Sequence, residues 1–367
     1  MLHLIKNKIL EHENGLLTFS EFMETALYDP ELGYYMKSMD KIGKGGDFYT
    51  SVNLSDVLGT LLGKWFCSLF NSHGLHPVIC ELGGGTGKLA RHILNTIRRT
   101  DPVMLQQTEY IIVETSPYHR ELQRECLKSF PNVKVFSTIE EAGQIEGIVF
   151  SNEFFDAFPV HIVEKHDDRL FEVMVGCSSN GNELIEKLAP LNNREIINYL
   201  ERENLILKNE QRLEVPLSMA AYLKKIAEIL SKGLMVTVDY GYTHEEWLLP
   251  QHRNGSIRGY YRHEMIEDVL SKPGEMDITS HIHFTALSSS LGRMGFRHEG
   301  LLRQDEFLLK LGILKELEEH YDPNPFSEIS KRNRAIRNLL IPGGISSFFR
   351  VDIHSKGLTD IFLPVTK

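Results

Sequence analysis

The residues best placed to do chemistry begin at Glu81-Leu82-Gly83-Gly84-Gly85-Thr86-Gly87-Lys88. A short apolar run, Pro77 to Leu82, leads into them, and a helically spaced run, Lys88 to Thr100, leads out. Glycines between a strand and a helix let the backbone turn tightly and approach a ligand closely, with the free N–H groups of the helix start facing it. A phosphate loop of the G-x-x-x-x-G-K-[ST] type needs glycine where Leu82 stands and a hydroxyl where Leu89 stands, so ATPase chemistry is excluded. A dinucleotide fingerprint, G-x-G-x-x-G, is met at Gly83 and Gly85, but its third glycine comes one residue early, at Gly87. Two acidic strand ends follow. Glu114, after the apolar Tyr110 to Val113, is a carboxylate suited to both hydroxyls of a ribose. It lies 31 residues beyond Gly83, against roughly 20 in dinucleotide folds. The next is Ser151-Asn152-Glu153-Phe154-Phe155-Asp156-Ala157-Phe158-Pro159-Val160-His161. Carboxylates at the carboxyl edge of a parallel sheet point into the crevice where such sheets bind ligands.

These positions require a doubly wound frame. Strands are expected over Pro77 to Leu82, Tyr110 to Val113, Val133 to Phe136, Gly147 to Phe150 and Leu234 to Val238, with helices between them. Strands alternating with helices imply parallel pairing and helices on both faces. Ser116 and Pro117 supply an N-cap and first-turn proline for one helix. Residues around Asp101 to Gln107 read as a loop, Val160 to Val175 as a hairpin, and Glu183 to Asn209 as polar helix. Helices are expected over Glu306 to His320 and Ser330 to Leu340, a turn at Pro342 to Gly344, and a closing strand over Ser346 to Ile353. The expected organisation is an N-terminal lid and helical segment (1–72), a core (73–159 and 231–367), and an inserted substrate-side subdomain (160–230).

Composition bounds the rest. The 367 residues are 42% hydrophobic and 25% charged, the mix of a cored globular protein. No run approaches the roughly 18 apolar residues of a spanning helix, so no membrane span is expected. A net charge of −10 opposes broad phosphate-backbone binding, so no nucleic-acid partner is expected. The four cysteines are scattered and read as reduced thiols. Glu11 and Glu13 follow Met1 to Leu10 at once, unlike a signal peptide or presequence. A cytoplasmic location is the expectation. His281 and His283 form an isolated H-x-H with no further ligand nearby in sequence, so no metal is expected.

The G-x-G-x-G loop led by an acidic residue is the pattern of S-adenosylmethionine-dependent methyltransferases, and longer blocks narrow the resemblance. Gly46-Asp47-Phe48-Tyr49-Thr50-Ser51, Glu81 to Gly87, Val113-Glu114, Asn152 to His161, Asp239-Tyr240-Gly241, Arg258-Gly259-Tyr260, Pro273-Gly274 and Asp277-Ile278-Thr279 stand in the order of the MidA-like methyltransferases. The chain resembles that family from roughly Gly15 to Phe349. Gly84 departs from it, since a proline is commoner there, and Ser280 to Phe284 departs in the segment after Asp277-Ile278-Thr279.

The resemblance implies a Rossmann-like class I methyltransferase sheet and S-adenosyl-L-methionine as cofactor. It implies methyl transfer to an arginine side chain of a partner protein. Glu153 and Asp156 are then the candidates for clamping guanidinium, and His161 for relaying a proton. Gly46, Asp47, Phe48, Thr50, Glu81, Gly83, Gly85, Gly87, Glu114 and Asn152 are the candidates for the cofactor. Oligomeric state is left open, a homodimer included. A non-catalytic assembly or chaperone protein that keeps the pocket is the alternative, and an NAD-dependent oxidoreductase is disfavoured by the glycine spacing.

Overall fold

The computed structural model describes residues 1–38, 55–318, 324–341 and 348–359. Gly46, Asp47, Phe48 and Thr50 of the candidate site, and the Pro342 to Gly344 turn, lie outside them. The chain divides into two compact units. One comprises Thr50–Phe154, Lys225–Gly241 and Leu291–Lys367, the other Met1–Tyr49, Phe155–Lys224 and Tyr242–Ser290.

The first is the parallel-sheet unit. In chain order it holds α1 (Ser55–His73), β1 (Val78–Leu82), α2 (Lys88–Thr100), α3 (Pro102–Gln107), β2 (Glu109–Val113), α4 (Pro117–Leu127), β3 (Val133–Phe136), β4 (Ile145–Asn152), β5 (Leu230–Tyr242), β6 (Arg297–Arg303) and β7 (Phe349–Lys356). The sheet runs β3-β2-β1-β4-β5-β7-β6. Pairing is parallel from β3 through β5 and antiparallel at β7 and β6. Strand order reverses between β1 and β4, which is where open sheets leave a crevice for ligands. Consecutive residues of β1, β2 and β4 are buried and mostly apolar, the pattern of strands covered on both faces. Phe150 of β4 meets Phe66 of α1 at 5.6 Å between ring centres, both buried. Burying each such ring contributes about 1.5–3 kcal/mol.

The antiparallel unit holds helices Leu2–Glu11 and Phe19–Tyr28, the second with a Thr18/Glu21 capping box. Its larger sheet orders strands Leu17–Thr18, Arg169–Cys177, His161–His166 and Arg212–Val215, with Leu184–Pro190 pairing Arg169–Cys177. A smaller sheet joins Glu264–Ile266, Arg258–Tyr261 and Asp277–Thr279. Separate apolar clusters sit under these elements, one containing Phe19, Phe22 and Ile162, another Tyr199, Leu213 and Trp247.

The hairpin and the five parallel strands form as the residue pattern predicts. Four local expectations change. The stretch read as polar helix is strand Leu184–Pro190 followed by helix Arg194–Arg202. Only Leu184 in that strand is buried, so its place comes from backbone pairing at a sheet edge, which leaves no apolar alternation. Asp101 to Gln107 is no loop: Asp101 accepts the Met104 N–H and caps α3, which accounts for the long spacing from Gly83 to Glu114. The helix expected to start at Glu306 is Gln304–Lys310, ended before Gly312 (φ 85°) and followed by a 3₁₀ turn, Ile313–Glu316. The closing strand starts three residues later than expected, at Phe349. The two units also partition the chain differently from the 1–72, 73–159 and 231–367, and 160–230 scheme. The helix at residues 55–73 belongs with the parallel sheet, and Tyr242–Ser290 belongs with the antiparallel unit. Linear proximity to β5 carries no information about which core a segment joins.

Candidate functional site

The glycine loop closes the carboxyl end of β1. Gly83, Gly85 and Gly87 have φ of 70°, 49° and 78°, the left-handed region that glycine alone enters without cost. The Gly83 N–H donates to the Val113 carbonyl of β2, and the Gly87 N–H to the Gly84 carbonyl. Gly87 then starts α2 with no side-chain cap, so the cap residue satisfies none of the first-turn N–H groups. At Gly83 a Cβ would come within 2.7 Å of the Phe154 ring. At Gly84 it would meet Ile112 Cγ2 at 2.7 Å, so the proline commoner in the family would require Ile112 to move.

Glu81 lies beneath the loop, buried, and its Oε2 accepts the Tyr110 hydroxyl at 2.9 Å. Burial pushes its carboxyl up to about 7; the Tyr110 hydrogen bond opposes this and the nearby Glu114 charge adds to it. The unfolded carboxyl ionises near 4.5. The folded pKa is the higher, so protonated Glu81 stabilises the fold fully below about 4.5, and this is lost as pH rises through about 7. Glu81→Gln removes the ionisation. Its stability relative to wild type should therefore rise between about pH 4.5 and 7, by on the order of 3 kcal/mol. Paired urea titrations across that range check it, and parallel pH profiles would contradict it.

Glu114 follows β2 with its side chain 11% exposed. Oε1 accepts the Ser116 N–H at 2.9 Å, Oε2 accepts Gln123 Nε2 at 3.4 Å, and His119 Nδ1 stands 3.8 Å from Oε2. The carboxylate is thereby held in one orientation at the strand end. Gln123 is the residue that sequence reasoning missed. It is fully buried on α4, and its Nε2 donates to the Gly85 carbonyl at 2.8 Å as well as to Glu114, tying loop to carboxylate. Its only sequence signal is a polar residue on the buried face of an amphipathic helix.

Asn152 ends β4, and Glu153 follows with φ 52°. A left-handed residue with a side chain is uncommon and concentrates at functional sites. The backbone holds it there: the Glu153 N–H donates to the Val238 carbonyl at 2.9 Å, and Asn152 Nδ2 donates to Glu153 Oε1 at 3.1 Å. Asp239, fully buried on β5, accepts the Phe154 N–H through Oδ2 at 3.1 Å and the Tyr240 N–H through Oδ1 at 2.9 Å. It fixes the turn that carries Glu153, a positioning role that its place in the sequence did not announce. Gln123 Oε1 and Asn152 Oδ1 are buried acceptors with no hydrogen-bond partner among the described residues. Buried amide oxygens are ordinarily bonded, so both suit hydroxyl or ammonium donors from a ligand.

The structure thus gathers Glu81, Gly83, Gly85, Gly87, Glu114, Asn152 and Glu153 at the carboxyl edge of one sheet. Asp156 and His161 belong to the antiparallel unit. Asp156 is buried and its carbonyl accepts the Ser280 N–H at 2.8 Å. His161 Nδ1 is paired with Glu172 Oε1 at 2.8 Å, both largely buried, across the hairpin. Phe155 packs with Phe158 and Tyr222. His281 has Arg258 Nη1 3.4 Å from its Nε2, a donor that opposes a cation there. No helix among the described residues is long and apolar enough to cross a membrane.

Comparison with known proteins adds the lineage. Residues 61–301 match a family model for S-adenosyl-L-methionine-dependent methyltransferases. The mitochondrial protein arginine methyltransferase NDUFAF7 of Danio rerio is 30% identical over 345 residues, 84% of this chain and 78% of that protein. The Drosophila melanogaster homolog is 28% identical over 311 residues, 76% of this chain and 67% of its own. A Burkholderia thailandensis protein, solved with S-adenosyl-homocysteine bound, superposes with a TM-score of 0.88 at 27% identity, covering 99% of this chain and 93% of that one.

The expected cytoplasmic location is overturned, since these animal relatives are named mitochondrial. Reduced thiols, on which that reading leaned, fit any reducing compartment equally well. The family-wide match and the glycine loop, Glu114 and Asn152 in place agree: the chain belongs to the MidA-like family of S-adenosyl-L-methionine-dependent methyltransferases.

Proposed function

We propose that this methyltransferase acts on an arginine side chain of a partner protein, with Glu153 as the carboxylate that receives the guanidinium. The observation that carries the reading is Glu153 itself: an acidic residue held at φ 52° at the strand edge by Val238 and Asn152. A fold tolerates such a conformation where the side chain must be aimed. Relatives named protein arginine methyltransferases support the choice of acceptor.

The residues present suit the cofactor. The glycine loop lets backbone approach it, Glu114 suits the two ribose hydroxyls, and Asn152 Oδ1 and Gln123 Oε1, without a partner among the described residues, suit its remaining donors. Asp47 and Thr50, outside the described residues, are proposed for the same ligand. When bound, S-adenosyl-L-methionine supplies an electrophilic methyl group on a positively charged sulfur.

The chain's part is alignment and charge. Guanidinium stays protonated in proteins. A carboxylate bonded to it orients the fork and draws positive charge toward itself, leaving the reacting nitrogen richer in electrons. Transfer would break the methyl–sulfur bond, its electron pair staying on sulfur, as the N–C bond formed, and the reacting nitrogen's proton would leave to Glu153 or to water. Asp156 is proposed as a second carboxylate for the acceptor. For His161 the Glu172 pairing supports a structural role. His161→Ala strands a buried carboxylate and should cost about 1–3 kcal/mol of stability while turnover well below melting changes little. Loss of one limb of the pH–rate profile in that variant would reinstate it as a proton relay.

The reading as a whole is tested by supplying the purified protein and labelled cofactor to lysate from cells lacking the protein. Mass spectrometry should place the label on arginine. Label on another residue type or on a small molecule would refute the acceptor, and cofactor binding with no transfer at all would favour an assembly protein.

A further inference from the structure

A second cluster lies at the antiparallel edge of the parallel-sheet unit. Asp352 and His354 are two apart on β7, so both face one side of the sheet. On β6, His298 stands directly opposite His354 in register. The ladder then slips between His298 and Gly300, the kind of bulge that re-aims a side chain. Arg297 and Glu299, which alternate to the other side, bond to each other.

On the shared side three donors converge. His298 Nε2 lies 3.0 Å from Asp352 Oδ1, and His354 Nδ1 lies 3.7 Å from Asp352 Oδ2. One ligand atom from each residue falls within 4.8 Å of the other two, the one such group among the described residues. The Asp352 side chain is 0% exposed, yet among the described residues its Oδ2 has no hydrogen-bond partner. A fully buried carboxylate oxygen without a donor calls for a missing cationic or donor group. His354 is equally buried, but the His298 side chain is 45% exposed, so solvent reaches the cluster from one side.

Two imidazoles and a carboxylate form a borderline donor set suited to zinc. In a tetrahedral centre with bonds of about 2.0–2.1 Å the ligand atoms stand about 3.3–3.4 Å apart. The two imidazoles stand 3.0 Å from Oδ1 and 3.7 Å from Oδ2 of the same carboxylate, and one atom from each residue lies within 4.8 Å of the others, close enough to close on one ion. We propose that His298, Asp352 and His354 bind one zinc ion, with water in the fourth position on the exposed side, and so staple β6 to β7. This departs from the sequence-based expectation of no metal, because the three residues come from strands more than fifty positions apart.

The test uses the full chain stripped with chelator and titrated with zinc salt alone by calorimetry. One equivalent should bind. His298→Ala, at an exposed position that leaves the core intact, should weaken binding by about a hundredfold, and Asp352→Asn should abolish it. Both variants should still bind S-adenosyl-L-methionine, which verifies their fold. Loading with cobalt instead should give the visible absorption of a four-coordinate site, absent in His298→Ala. Lack of binding at about 100 µM zinc would overturn the proposal, and so would unchanged affinity in His298→Ala, which would place the metal on other histidines.

Discussion

Gly83→Ala should weaken S-adenosyl-L-methionine binding by about thirtyfold or more and lower the melting temperature. Two costs add. Residue 83 has φ 70°, where a Cβ costs about 1–2 kcal/mol. The same Cβ would stand 2.7 Å from Phe154 Cδ2, so the ring must move or the loop must open. Where the free protein relaxes the loop, the cost appears as lost affinity, because the cofactor needs the turn restored. Where the turn persists, the cost appears as lost stability. Each 1.4 kcal/mol charged to binding is a factor of ten.

The two costs separate in a double-mutant cycle. Phe154→Ala removes the steric partner but leaves the backbone penalty, so Gly83→Ala with Phe154→Ala should recover part of the lost affinity. Calorimetric titration of the four proteins measures the coupling. Unchanged affinity together with an unchanged melting temperature in the single variant would overturn both costs.

Glu153 carries the second large effect. Glu153→Gln keeps shape and loses charge. Turnover should fall by about 10²–10³, the range seen when one electrostatic contact to the reacting centre is removed. Cofactor affinity should stay within about threefold. Glu153→Gly separates aim from strain. Glycine at φ 52° relieves about 1–2 kcal/mol, and the Asn152 contact it forfeits offsets part of that. The variant should therefore be about as stable as wild type, or more so, and inactive. A protein that gains stability by losing a side chain has kept that side chain for chemistry. Full turnover in Glu153→Gln would remove Glu153 from the mechanism, whatever the acceptor.

Much of the site was readable because its parts are local. The turn after β1 needs glycines within five residues, and the strand ends that hold Glu114 and Asn152 follow directly from apolar runs. Helix starts were readable for the same reason: Ser116 and Pro117 act within one turn, and Ser116 Oγ accepts the His119 N–H. Local backbone preference and hydrophobic period are written in neighbouring residues, and no distant partner has to be known.

What supports the site came from elsewhere. Gln123 reaches Gly85 across 38 positions and Asp239 reaches the Phe154 N–H across 85, and neither partner can be inferred from spacing. The edge strand Leu184–Pro190 has no strand signal in its residues, because backbone pairing, with no buried face, decides its form. Asp156 and His161 adjoin Glu153 in sequence but belong to the other unit, since the chain leaves one core for the other at Phe154 and Phe155. The convergence of His298 with Asp352 and His354 depends on antiparallel register and a bulge.

The order of residues along the chain thus settled the cofactor turn, the acidic strand ends and the lineage, all functions of short-range chemistry. Folding decided which core each segment joined, which carboxylate was strained into position, and which distant side chains braced it. Those outcomes depend on long-range packing and hydrogen bonds whose partners are brought together only when the sheet closes.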